Sequence, residues 1–378
     1  MKIFAPQFIS LFVFISFFAT LTDTMRADIE SPSAYQLFGI SASYNDVFFG
    51  DYYGRNGDIE GHAAIKGNVD VQSYGFGSGE QNLHSREVNS TPTLVVGGNV
   101  KASGTGVYDG DAYIQGTLTP QDGGSKWNTL STKGTGPYNS VDPGYQGTAG
   151  TVYVKGTLDA DLDYQYQKHT EASIPFDFTV AENQLRTVSS DLWSLENTLD
   201  ALFEDRNIVI DMTGLSGLQV LTLDAADFMD MGTNRNILIN NAGDDLTLVI
   251  NVTNEQGLDY LWLRNEIVIN GEAGPMYADF DGSNILLNTA IENVRIENVA
   301  FNASLLALDA EVYVTHGNID GQVFAGSGYT EAGGEFHAYY TFDDKHFQQT
   351  VTPEPASILI FGVGMGALAL SRRRRKAE

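Results

Sequence analysis

Ala64-Ile-Lys-Gly-Asn-Val69, Val95-Val-Gly-Gly-Asn-Val100, Tyr113-Ile-Gln-Gly-Thr-Leu118 and Tyr153-Val-Lys-Gly-Thr-Leu158 are one pattern written four times. Each runs apolar, any residue, Gly, polar, apolar. With Gly67, Gly98, Gly116 and Gly156 taken as equivalent, the spacings are 31, 18 and 40 residues. A constant pattern at irregular spacing is what a β-solenoid produces. Its stacked strands keep one shape, while loops of any length leave the coil. Gly fits where the chain turns a corner and no Cβ is tolerated. A β-sandwich would space its strands more evenly and alternate strictly in and out. The pattern predicts a mainly β chain with a right-handed β-solenoid or β-helix-like body.

The pattern extends in both directions. The 40 glycines and the short, β-branched apolar runs read as many short strands with tight turns. From Asn207 onward the strands are Ile208–Ile210, Val220–Leu223, Ile237–Ile239, Leu246–Ile250, Ile267–Ile269, Ile285–Leu287, Val294–Ile296, Val312–Val314 and Gln322–Phe324. Several are apolar throughout, as expected for strands buried on both faces. Many end in Asn (Asn240, Asn251, Asn270, Asn288), which tolerates left-handed turns and stacks in ladders. Between the two strand-rich halves, Leu185, Val188, Leu192, Leu195, Leu199 and Leu202 recur at spacings of 3, 4, 3, 4 and 3. That stripe predicts one amphipathic helix over about 180–203, laid on the flank of the β-body.

The ends read differently. Phe8 to Leu21 is almost wholly apolar behind Lys2, which predicts a secretory signal over 1–27, cleaved near Ala27. Residues 28–350 form the exterior domain. Residues 351–378 form a tail with Pro353-Glu354-Pro355, an uncharged run from Ala356 to Leu370, then Arg372, Arg373, Arg374, Arg375 and Lys376. That run predicts a short membrane-spanning helix whose basic end stays cytoplasmic. The chain has no cysteine, so its core alone must hold it. Residues 28–352 keep 14 of the 21 Lys and Arg and 45 of the 48 Asp and Glu, a net charge of −31. Such a field argues against nucleic acid as a partner.

The tail resembles the PEP-CTERM sorting signal of Gram-negative bacteria: Pro-Glu-Pro, a short apolar helix and an Arg-rich end, in order. The resemblance implies recognition and cleavage by an exosortase-type enzyme, then release or attachment at the cell surface or biofilm matrix. Four segments of the body resemble the choice-of-anchor A domain family. They are Tyr44-Asn-Asp-Val-Phe-Phe-Gly-Asp51 with Asp58-Ile-Glu-Gly61 and the first repeat, Ile174-Pro-Phe-Asp-Phe178 with its helix, Gly317-Asn-Ile-Asp-Gly-Gln-Val323, and Gly334-Glu-Phe-His337. His62 stands where that family often has Arg. The motif positions are Asn45, Gly50, Asp51, Glu60, Gly61, Gly67, Asn68, Gly317, Asn318, Gly321, Glu335 and His337. The family implies a surface or adhesive module with a β-solenoid-like body, and no activity carries over.

Catalytic patterns are sparse. Without cysteine there is no Cys nucleophile. Gly77-Ser78-Gly79 and Gly326-Ser327-Gly328 lack the spacing of a nucleophile elbow, and no His-Glu-x-x-His or P-loop occurs. The enzyme alternative is a polysaccharide lyase or glycosidase on a solenoid, which needs paired carboxylates. No cofactor is implied. Asp159, Asp161 and Asp163 begin an EF-hand-like run that fails at Tyr164 and Thr170. Together with Asp109-Gly-Asp111 and Asp279-Phe-Asp281 they leave loose Ca²⁺ binding open. Tyr52-Tyr53, Tyr74-Gly-Phe76, Tyr138, Tyr145, Tyr164, Tyr166 and Tyr339-Tyr340 lie in Gly-rich or polar surroundings and suit contact with extracellular polysaccharide or surface proteins. An ice-facing solenoid would need a regular Thr ladder, and T-x-T does not repeat here. The expected product is therefore an exported, non-enzymatic adhesin-like or structural protein of the cell surface. In the mature protein from cells, residues beyond Pro355 should be missing by mass. Replacing Pro353, Glu354 and Pro355 with alanines should retain them in the inner membrane. If both proteins keep the tail, the sorting reading fails.

Overall fold

The structure, a computed structural model, describes residues 37–78, 91–120, 130–133, 150–158, 167–168, 174–205, 207–230, 236–273 and 280–347. The signal over 1–27 and the tail over 351–378 lie outside the described residues.

Short apolar strands stack in parallel and in register. Asp46–Phe48 pairs with Ala63–Ile65, that strand with Leu94–Val96, then Ala112–Ile114 and Val152–Val154. Each coil carries three strand positions, so the β-body has three faces. Inward side chains make one column of core, including Phe48, Ile65, Val96, Ile114 and Val154. The glycine equivalence read from the sequence is borne out. A Cβ on Gly67, Gly98, Gly116 or Gly156 would lie under 3.0 Å from the carbonyl oxygen of Gly50, Gly67, Gly98 or Gly116 respectively. Beside that column Asn68 accepts from Asn99 N–H (3.0 Å) and Asn99 from Thr117 N–H (2.8 Å). The corner thus satisfies its own backbone donors.

The chain order along the axis is broken. The first half starts mid-body and climbs from Asp46–Phe48 to Val152–Val154. The second half climbs from Gly217–Asp224 through Leu246–Thr253, Ile285–Thr289 and Ser304–Thr315 to Val323–Glu331. Val323–Glu331 then pairs with Asp46–Phe48, joining both halves in one sheet. A smaller sheet of Leu202–Glu204, Asn207–Asp211, Ile237–Asn240, Ile267–Ile269 and Glu272–Ala273 covers the third side of the second half.

Helix α1 (Phe178–Trp193) runs between the halves and closes one face. Asp177 caps it, accepting from Thr179 and Val180 N–H. Phe178, Ala181, Leu185, Val188 and Leu192 are buried against outward sheet residues Val47, Ala64, Val95, Leu286, Leu306 and Phe324. Those strands are therefore apolar on both sides, as their composition suggested. Burial of each large side chain is worth about 1.5–3 kcal/mol. The exposed ion pairs Lys66–Glu182 and Arg186–Asp309 are worth roughly 0–1 kcal/mol each. Packing holds the helix; the ion pairs trim its edge. Asn288 donates to Asn251 (2.9 Å), and Asn251 donates to the Leu192 carbonyl (2.8 Å), so the expected Asn ladder ends by capping the helix.

The helix stops at Trp193 rather than near 203. Ser194 bonds back to Asp191, and the chain turns to cover a strand edge. Thr198 N–H donates to Val220 O, and Val220 N–H to Thr198 Oγ1. Leu195 and Leu199 stay partly buried, each against a different core, while Leu202 sits exposed on a strand. The leucine spacing outlasts the helix because the chain still needs apolar contacts there. A second short helix, α2 (Ala225–Asp230), was not anticipated.

Replacing Gly98 with Ala should lower unfolding free energy by about 1–3 kcal/mol. Gly243→Ala meets nothing within 4 Å and should stay within about 0.5 kcal/mol. Urea midpoints of the two variants decide this, and equal midpoints would refute the glycine-column account.

Candidate functional site

Most of the motif residues gather at the seam where the second half meets the first. Phe336 pairs with Ile59 and Ile319, so Asp58–Gly61, Glu335–His337 and Asn318–Gly321 become neighbouring rungs. At its centre His337 donates from Nδ1 to Asp320 (2.9 Å) and from Nε2 to Glu335 (3.1 Å). Asp320 is fully buried and also receives Asn318. Glu60 accepts from Ala338 N–H (3.2 Å). Asn45 is buried and donates to Asp46 and to the His337 carbonyl, both at 3.0 Å. Gly61, Gly317 and Gly321 are close approaches: a Cβ would strike Asn45, Val299 O or Ala303 O. Gly50, Asp51, Gly67 and Asn68 form a separate corner, the glycine and asparagine ladders already described. His62 is buried, edge-on to Tyr44 at 6.3 Å.

Burial alone would push His337 down. The hydrogen bonds of Asp320 and Glu335, with Glu60 nearby, outweigh it and lift the imidazolium to about 10. A histidine held charged at neutral pH donates twice and cannot take a proton. Asp58 is lifted to about 6, chiefly by burial, with Glu335 and Glu60 adding to the rise and the Ser78 bond opposing it. Sequence reading missed Asp320 and Asp58 as partners, although Asp320 sits inside the Asn318–Gly321 motif. No spacing reveals that residues about 280 positions apart share a rung.

A second arrangement lies on a face that α1 leaves open. One outward row runs across successive rungs as Trp262, Arg295, Tyr313, Tyr329, Tyr53, Asp70, Lys101 and Thr119. Inward neighbours such as Leu261, Val294, Val312 and Val69 are buried, so strand alternation alone aims this row outward. Tyr53 and Tyr329 stack at 4.6 Å, and Tyr313 and Tyr329 at 4.7 Å. Arg55 lies 3.9 Å over Tyr53 and pairs with Asp70. Glu331 accepts from both Tyr313 and Tyr329, and burial together with that carboxylate pushes Tyr313 up to about 12. Beside the row an open cleft of about 1070 Å³ is lined by Asp51, Asn68, Asp70, Glu292, Asp309 and Glu311, among others.

Other expected surface aromatics fall elsewhere. Tyr52, Tyr74, Phe76 and Tyr340 are buried. Tyr138, Tyr145, Tyr164 and Tyr166 lie outside the described residues, as do Asp159, Asp161, Asp163, Asp279 and the sorting residues Pro353, Glu354, Pro355 and Arg372–Arg375. Asp281 caps a 3₁₀ turn and Asp111 accepts Thr151 N–H from the neighbouring coil, so both serve the fold. No helix among the described residues is long and apolar enough to cross a membrane.

A folded pKa near 10 against about 6.5 unfolded fixes a sign. The His337 contribution is complete below about pH 6.5 and lost as pH rises through about 10. Wild-type unfolding free energy should fall across that window, and His337→Gln should flatten the slope while lying lower at pH 6. Parallel pH profiles would remove the charged clasp.

Comparison with known proteins places the chain. The family model of the ice-binding-like adhesive domain matches residues 37–338, and the PEP-CTERM protein-sorting motif matches residues 351–376. A search of curated proteins finds no match. Among solved structures, an ice-binding protein from an Antarctic biological consortium is 12% identical, over 83% of this chain and 93% of that one, with a TM-score of 0.30. An ice-binding protein of the Antarctic ascomycete Antarctomyces psychrotrophicus is 14% identical, over 68% and 97%, with a TM-score of 0.29. One from Shewanella frigidimarina is 17% identical, over 65% and 92%, also at 0.29. These scores carry no argument about what this chain binds. The family match covers most of the chain, and the protein belongs to the ice-binding-like adhesive domain family and carries a PEP-CTERM sorting motif.

Proposed function

We propose that this is an exported surface or matrix adhesin, processed by an exosortase-type enzyme, whose uncovered face holds extracellular polymer. The choice-of-anchor A resemblance agrees with that reading. The observation that carries it is the outward row from Trp262 to Tyr53 on a flank that α1 leaves open. Its tyrosines stack on each other, so their flat faces are occupied. They offer edges and hydroxyls, with guanidiniums at both ends and carboxylates in the adjoining cleft. Such a surface makes many weak polar contacts along an extended polymer. A broad face of this kind suits avidity rather than turnover.

Two other readings are weaker. A lyase or glycosidase needs paired carboxylates facing a substrate, yet in the seam the raised carboxylate Asp58 is largely buried and bonded to Ser78, and His337 is held as a cation. The motif residues there close the solenoid in this reading and touch no ligand. Ice recognition would favour small, regular side chains, and this row carries Tyr, Arg, Asp and Trp.

The full-length chain should bind polysaccharide extracted from its own matrix, and Tyr329→Ala with Tyr53→Ala should weaken binding several-fold while leaving the circular dichroism unchanged. Thermal hysteresis should be absent. Ice shaping without polymer binding would reverse the assignment. Release of reducing ends or unsaturated sugars from the polymer would favour the enzyme.

A further inference from the structure

We infer that the Trp262 end of the open face is a subsite for the acidic groups of an anionic polysaccharide. The inference rests on the reading of this face as the adhesive surface, and names the ligand class.

Trp262 and Arg295 occupy adjacent rungs. Arg264 lies 4.1 Å over the Trp262 ring. Arg295 is exposed and sits 5.1 Å from the Tyr260 ring and 5.9 Å from that of Tyr313. Tyr260 meets Trp262 edge-on at 5.8 Å. Two guanidiniums and three rings thus share one patch.

The patch is notable for what it lacks. This body carries 45 carboxylates against 14 cations, and the other arginines among the described residues are neutralised: Arg55 by Asp70, Arg186 by Glu182 and Asp309. Among the described residues no carboxylate pairs with Arg264 or Arg295. Arg264 Nε and Trp262 Nε1 are also buried donors without an acceptor. Buried donors are nearly always satisfied, so two adjacent orphans ask for an acceptor from outside the chain. Both orphans are donors and two guanidiniums share their patch, with Glu297 and Glu331 on the Tyr313 side. The missing partner is therefore an anion or an acceptor-rich group.

Stacking keeps the guanidiniums usable. Cation–π contact uses the flat face of the group, while its N–H fork points sideways in the plane. A carboxylate or sulfate can then be gripped by two parallel hydrogen bonds. Rungs repeat about every 4.8 Å, so a polymer lying along the row meets the subsite and then the tyrosine edges. The protein's negative field does not forbid this, because it is screened beyond about 8 Å at physiological salt. It does set a condition: polyanions should stay on this protein only where arginines hold them.

The test is retention of the full-length chain in gels containing polygalacturonate, dextran sulfate or unsubstituted dextran at physiological salt. Polygalacturonate or dextran sulfate should retard the protein. Arg264→Gln and Arg295→Gln should each weaken retention about tenfold or more, and Arg295→Lys should lose part of it. Lys155→Gln removes an exposed charge elsewhere and should change nothing, which separates the subsite from net charge. Retention by only one polyanion identifies carboxylate or sulfate as the group. Polyanion retention that ignores both arginine substitutions overturns the subsite, as does binding of unsubstituted dextran alone, which leaves the adhesive face standing. Binding of no polymer overturns both.

Discussion

A carbonyl oxygen stands where a side chain would begin at Gly67, Gly98, Gly116 and Gly156, and the β-body depends on that crowding. Each corner glycine lets one coil settle onto the next at hydrogen-bonding distance: Gly67 N–H to Gly50 O at 3.0 Å, then Gly98 to Gly67 and Gly116 to Gly98 at 2.9 Å. A Cβ at any of these positions would lift the coil and break the parallel ladder beside it. Once the corner is fixed, register follows, and register decides what stacks. The asparagines one position later can then hand their carbonyls to the next coil. On the neighbouring face Tyr53, Tyr329 and Tyr313 come to lie on one line from strands far apart in sequence. The surface row is thus a product of corner geometry, with its chemistry chosen separately.

The same constraint creates a problem at the seam. The two halves meet through contacts between residues nearly 300 positions apart, such as Asn45 with His337. Closing so long a loop costs entropy that local strands cannot repay early. The seam answers with polar groups fixed on both sides: Gln322 donates to Tyr44 O, Asn45 bridges to His337 O, and His337 joins Asp320 to Glu335. A buried charged cluster is a poor source of stability against apolar packing, but breaking it leaves an uncompensated charge. Its value lies in register. Only one docking of the halves satisfies all of these groups, and a slip by one residue would bury Asp320 beside nothing.

The glycine column was legible because its signal is local: six residues repeat, and the repeat is the corner. The helix was legible for the same reason from Phe178 to Leu192, where one stripe faces one layer. Its end was not, because Leu195 and Leu199 continue the spacing while packing on different cores. The motif positions could be named from sequence, but not their common location. Asn45 and Glu60 belong to one end of the chain, Asn318, Glu335 and His337 to the other, and only the broken coil order makes them neighbours. Of the open-face row only Tyr53 is singled out in the sequence, paired with the buried Tyr52. Trp262, Arg295, Tyr313, Tyr329 and Tyr53 have no shared spacing, and nothing in the sequence separates Tyr53 from the buried Tyr52 beside it except the strand's alternation.

That last contrast bears on how such a protein changes its ligand. Tyr52 packs in the core and meets Tyr74 and Thr330, so it is bound to the fold. Tyr53, one residue on, answers only to its neighbours on the surface row. Corner glycines and the α1 layer carry the stability and the seam polar groups fix the register, so outward positions on the uncovered face are free to vary at small cost. A family that keeps its corners and rewrites this face can hold one scaffold while its members grip chemically different surfaces. Among the described residues Arg55, Lys66, Arg186 and Lys345 are paired with the chain's own carboxylates. Arg264 and Arg295 lie instead against aromatic rings of the open face.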